Sequence, residues 1–261
     1  LITSFEKLEV HYKTFSNQDE QCTLHYYLST LFLKQEFLLP GKENMKGDKV
    51  SIHEDVRITA KYLVQRIRKQ IAEKPVRYVL SIAGESGSGK SALGYAIAEE
   101  LDSKGIKAIV LGQDDYFVFP PKTNDLKRRE DPDWLGPHVE VHLRLMDQNL
   151  KDAINGHNEL TKPLVYYHEN KIEEETISLD GVKVIIVEGT YTSLLKNVDM
   201  RVFIDKDWCD TLEHRQLRNR GSEFGDPFIE NVLSIEHKII AGHRHLADII
   251  ITKDNKVLQT E

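Results

Sequence analysis

The chain has 261 residues, 40% of them hydrophobic, which is enough for one sizeable core with or without an appendage. Its formal charge of −7 argues against nucleic acid as the main partner, because such binding surfaces are basic. No apolar run approaches the about 18 residues needed to span a membrane, and the N-terminus lacks a basic-then-apolar signal pattern, so a cytoplasmic protein is expected.

The first residues, 1–44, are expected to form an N-terminal extension. The stretch "HYYLSTLFLKQEFLLPGKE" has the mixed character of one short helix, broken at Pro40-Gly41. Met45 opens "MKGDKVSIHEDVRITA", which reads as the start of the main domain, 45–261. From Glu54 to Ile71 the residues Val56, Ala60, Leu63, Val64, Ile67 and Ile71 recur at helical spacing. "RYVLSIA" follows as a strand, "KSALGYAIAEELDSKG" as a helix stopped at Gly105, and "KAIVLG" as a second strand.

Residues 118–136, with two prolines and "KTNDLKRREDPDW", read as a loop. "VEVHLRLMDQNLKDAING" reads as a helix and "KPLVYYHENKIEEETISLDG" as a hairpin. "VKVIIVEG", "MRVFID" and "ADIIIT" are short buried strands. A charged helix opens on Asp207, and another helix opens at Asp226-Pro227, an N-cap residue followed by proline at the first helical position. Continuous apolar strands alternating with helices predict an α/β fold, a parallel sheet with helices on both faces and a small hairpin or lid region. Cys22 and Cys209 belong to no metal-binding spacing, and two free thiols are expected.

Gly84-Glu85-Ser86-Gly87-Ser88-Gly89-Lys90-Ser91 fits GxxxxGK[ST] at every fixed position, between a strand and a helix. Glycines at 84, 87 and 89 let the backbone approach a phosphate closely and adopt positive φ. The following helix, from Lys90, Ser91 and Ala92 onward, offers unpaired N–H groups and the positive end of its dipole. Lys90 neutralises β/γ-phosphate charge, and the Ser91 hydroxyl is a hard ligand for Mg²⁺. ATP with Mg²⁺ is the expected donor. The loop alone does not choose among hydrolases, switches and kinases.

Two further strand ends point to transfer. Glu188 ends "VIIVEG", where a carboxylate holds Mg²⁺ directly or through water. "VLGQDDYF" ends in Asp114 and Asp115, where an attacking hydroxyl needs a proton acceptor. "HRQLRNRG" supplies Arg215, Arg218 and Arg220 to balance the transferring charge.

In this order and spacing, "GESGSGKS", "GQDDYF", "VIIVEGTY", "FIDKDWCDTLEHRQLRNRG" and "IEHKIIAGHRHLADIIITKD" resemble the uridine kinase/phosphoribulokinase family of P-loop kinases. The resemblance implies Mg-ATP as donor, a small hydroxylated acceptor, an arginine lid and frequent homo-oligomers. It makes Asp114 the catalytic aspartate near the metal, Glu188 the second acidic Mg²⁺ residue, and Arg215, Arg218 and Arg220 the lid arginines. On the acceptor side Asp115, Tyr116, Tyr167 and His168 are candidates. The histidine and arginine with which uridine kinases read the base fall here on Asn170 and Ile172, so a sugar, sugar phosphate or other alcohol stands beside a pyrimidine nucleoside. Lys122, Lys127, Arg128 and Arg129 form a basic cluster suited to an anionic acceptor, and Trp134 offers a stacking surface. A nucleotide switch is the contrasting class, but "TKDN" at 252–255 lacks the aspartate of a guanine-reading motif.

Overall fold

The computed structural model describes residues 50–211 and 226–260. The expected extension, 1–44, and the lid candidates Arg215, Arg218 and Arg220 lie outside the described residues. A six-stranded sheet runs in the order β2-β5-β1-β6-β7-β8, with β1 at Tyr78–Gly84, β2 at Ala108–Gly112, β5 at Val184–Gly189, β6 at Met200–Asp205, β7 at Ile249–Thr252 and β8 at Val257–Gln259. The first five in that order pair in parallel, and β8 closes the edge antiparallel to β7.

The strands bury both faces, which is why they read as unbroken apolar runs. On one face Leu80, Ile82, Ile186, Val202 and Ile204 pack against α1 (Glu54–Glu73) and α2 (Lys90–Asp102). On the other, Val79, Ile185, Val187 and Phe203 pack against α4 (Leu143–Ile154) and Ile240 of α5 (Pro227–Ala241). α5 begins as expected, with the Asp226 carboxylate accepting from Phe228 N at 2.9 Å. A two-stranded antiparallel hairpin, β3 (Glu159–Tyr166) and β4 (Lys171–Ser178), stands apart from the main sheet.

Two expectations are corrected. The segment expected as a loop contains a ten-residue helix, α3, Pro121–Glu130. Its one large apolar residue, Leu126, is exposed, so no apolar stripe announces it. Pro121 at the first helical turn favours it, and the hairpin tip caps it: Asn170 Oδ1 accepts from Lys122 N at 2.8 Å and Thr123 N at 3.3 Å. Cys209, expected as a free thiol, is disulfide-bonded.

Candidate active site

Strand register assembles the site. Glu188 lies beside Ile82 of β1 and Gly112 of β2. The end of the central strand, the glycine loop and the aspartates after β2 therefore meet at the carboxyl edge of the sheet, where α/β folds bind ligands.

Gly84, Gly87 and Gly89 have φ of 149°, 79° and 97°. A Cβ at Gly84 would stand 2.8 Å from Ile204 O, so the loop's first position excludes any side chain. Gly89 starts α2 from the left-handed region and faces open space. Lys90 Nζ reaches back over the loop and donates to Glu85 O at 2.7 Å. Ser88 Oγ is buried and has no hydrogen-bond partner. Ser91 Oγ donates to Glu188 Oε1 at 3.2 Å, and both residues are buried. A hydroxyl and a carboxylate at this distance are the hard oxygen pair that Mg²⁺ prefers. An orphaned hydroxyl within a ring of positive-φ glycines suits a phosphate oxygen. The residues present thus fit both Mg²⁺ and a triphosphate.

The two aspartates after β2 part ways. They sit on a single 3-10 turn, Gln113–Tyr116. Asp114 is half-buried and has no ion pair among the described residues. Asp115 is buried, and both its oxygens are engaged: Oδ2 by Lys162 Nζ at 2.6 Å, Oδ1 by Val165 N at 2.9 Å. Burial raises its pKa in spite of Lys162. Asp115 therefore clamps the hairpin to the strand end. Tyr116 is fully buried against α4, where Asn149 donates to its hydroxyl at 3.0 Å, and burial pushes the phenol up to about 12. This corrects its expected place on the acceptor side, since its ring belongs to the core. Tyr167 and His168 lie at the hairpin tip, edge to face with ring centroids 5.5 Å apart.

Several residues of this region carried no motif. Glu85 is tied to His237 of α5, its Oε1 2.5 Å from Nδ1. Burial raises the Glu85 carboxyl to about 7, with the His237 hydrogen bond working against the shift. The residue before His237, Glu236, accepts from Arg128 of α3 at 3.0 Å. Arg128 also donates to the fully buried Glu140 at 2.7 Å. Arg129 bonds Asp226 at 2.6 Å and lies over the Phe228 ring. Helix α3 is thus fastened to both the hairpin and α5. Lys162 of the clamp left a trace in the sequence: it lies two positions after the buried Leu160 on an alternating strand.

A parallel sheet carrying this loop and these strand-end acids defines a P-loop kinase fold. The chain belongs to the phosphoribulokinase/uridine kinase family, whose model matches residues 79–225, more than half of its length. It is 30% identical over 194 residues to the bifunctional alpha-galactosidase/sucrose kinase of Mediterraneibacter gnavus, covering 70% of this chain and 21% of that protein. The chain thus spans about a fifth of that relative's length. A uridine kinase of Staphylococcus epidermidis is 29% identical over 192 residues, covering 69% of this chain and 90% of the relative. The solved D-glycerate 3-kinase of Cryptococcus neoformans has the same fold, with a TM-score of 0.54 at 14% identity over 80% of this chain and 99% of that one. Among the described residues no helix is long and apolar enough to cross a membrane.

Proposed function

We propose that the chain transfers the γ-phosphate of MgATP to a hydroxyl of a small acceptor. The observation that carries this reading is the meeting, at one sheet edge, of the Ser91–Glu188 oxygen pair with the Asp114 carboxylate, which has no ion pair among the described residues. A hydrolytic switch has no use for a second carboxylate at the end of a neighbouring strand. A kinase needs one to accept the acceptor's proton. The named activities of the relatives, sucrose and uridine phosphorylation, are both transfers to an alcohol.

In this reading the loop N–H groups and the α2 N-terminus hold the triphosphate. Lys90 leaves Glu85 O for a phosphate oxygen, exchanging one hydrogen bond for a charge-assisted one. Ser91 and Glu188 would hold Mg²⁺, which when bound would supply neutralisation of the triphosphate's charge. Asp114 orients the hydroxyl and accepts its proton. Arg215, Arg218 and Arg220 are the candidates for closing the site against water. The cytoplasm, where ATP is abundant, is the compartment that fits this donor.

Two variants test the roles separately. Lys90→Ala is expected to lose both nucleotide binding and transfer. Asp114→Asn is expected to keep the melting-temperature rise given by a non-hydrolysable ATP analogue while losing transfer. Near-normal turnover by Asp114→Asn would remove Asp114 from the proton-accepting role.

A further inference from the structure

The second residue of the glycine loop is an acid, in a loop otherwise suited to a triphosphate. The backbone carbonyl of Glu85 accepts from Ser88 N at 3.1 Å and from Lys90 Nζ at 2.7 Å. Its side chain is 7% exposed, and Oε1 lies 2.5 Å from Nδ1 of His237 on α5, whose side chain is 32% exposed. Among the described residues, the charged groups that act on the Glu85 carboxyl are His237 on α5, Lys90 at the start of α2 and Asp207 after β6. His237 and Lys90 favour the carboxylate, while burial and Asp207 oppose it.

A carboxylate buried in this loop works against anion binding, because like charges repel most strongly where water is excluded. The His237 contact offers a way round the conflict. With one acidic proton shared between carboxyl and imidazole the pair is neutral, whichever group holds the proton. Without that proton the ring can still donate its N–H to the carboxylate, so the contact persists but carries a negative charge. Arrival of a triphosphate acts on this balance twice. The phosphates disfavour the negative form directly. Lys90, on leaving Glu85 O for a phosphate oxygen, also ceases to favour it.

We propose that Glu85 and His237 act as a proton-holding pair that sets nucleotide affinity: binding of ATP draws a proton onto the pair, and loss of that proton weakens binding. The proton comes from solvent and lodges on the carboxyl or on the imidazole, and no other covalent bond changes. Glu85 is a positioning residue in this account, and His237 acts through it. Burial raises the Glu85 carboxyl to about 7, where the pair can respond near neutral pH. His237 pulls against that rise, so the ring fixes where the response falls.

The inference rests on the glycine loop holding the triphosphate, as proposed above, and the test separates the two. Binding of a non-hydrolysable ATP analogue with excess Mg²⁺ is measured by titration calorimetry from about pH 6 to about pH 9, in two buffers of different ionisation enthalpy. The native chain, Glu85→Gln and His237→Gln are compared. Affinity of the native chain is expected to fall as pH rises through about 7, by no more than about tenfold per pH unit, the limit for one proton. The difference in heat between buffers should show net proton uptake near neutral pH. Glu85→Gln should lose both the uptake and the slope, and should bind more tightly than the native chain at about pH 9. His237→Gln should keep both but at higher pH, because the group that holds the Glu85 carboxyl down is gone. Weaker binding by both variants at every pH, with the native slope unchanged, would be the mark of a merely structural contact and overturns the inference. So does pH-independent binding by the native chain without proton uptake, which leaves the kinase reading standing. No binding of the analogue by the native chain at any pH overturns the kinase reading and the inference together.

Discussion

Replacing Lys162 by methionine removes the cation that holds the hairpin to the catalytic strand end. The pair it breaks is buried, with the Lys162 and Asp115 side chains 6% and 4% exposed. Asp115 would keep its bond from Val165 N but lose the ammonium 2.6 Å away. Stranding one partner of such a pair costs about 3–5 kcal/mol. Asp115 can limit the loss by taking up a proton, because its pKa is already raised and would rise further. The native variant would then bind a proton that the unfolded chain releases, so its stability should rise as pH falls toward the ordinary carboxylate range. Urea unfolding at neutral pH should show a lower midpoint with an unchanged slope. Adding Asp115→Asn should recover most of the loss, since no buried charge is left alone. A single-variant loss below about 1 kcal/mol, the range of an exposed ion pair, would refute the reasoning. So would a double variant no more stable than the single one.

Glu85 gives a second pH prediction. Its folded pKa of about 7 lies above the ordinary 4.5, so the folded chain holds a proton that the unfolded chain gives up between these values. Stability should fall as pH rises from about 4.5 to about 7, and melting curves of Glu85→Gln should show that slope flattened. At Gly189 an added Cβ would stand 2.2 Å from Gln113 Cβ. Gly189→Ala should therefore cost about 1–3 kcal/mol by overpacking, read from denaturant midpoints. Asn170→Gly keeps the backbone conformation but removes the cap of α3, at a cost of about 1 kcal/mol. Asn170→Asp, which retains a capping oxygen, should lie near the wild type.

What the sequence made legible was local. The glycine loop lies within eight consecutive positions, and Glu188 and Asp114 each end an apolar run, so their neighbours announce them. The parallel sheet could be read because strands buried on both faces leave unbroken apolar segments. Helix α3 was hidden because charges and a cap from residue 170 hold it, not an apolar stripe. The Asp115–Lys162 clamp spans 47 positions and the Glu85–His237 contact 152, and no spacing rule connects residues so far apart. Tyr116 was a candidate on the acceptor side. The 3-10 turn rotates it inward to Asn149.

The most direct test of the account is to identify where the γ-phosphate goes. The purified protein would be incubated with MgATP and the hydroxylated small molecule that best stimulates ADP release, and the mixture followed by phosphorus NMR. Loss of the γ-phosphate signal in step with a new phosphomonoester of the acceptor, absent with Asp114→Asn, is the predicted result. ATP consumed with inorganic phosphate as its only new product would contradict a phosphotransferase and favour a hydrolytic switch.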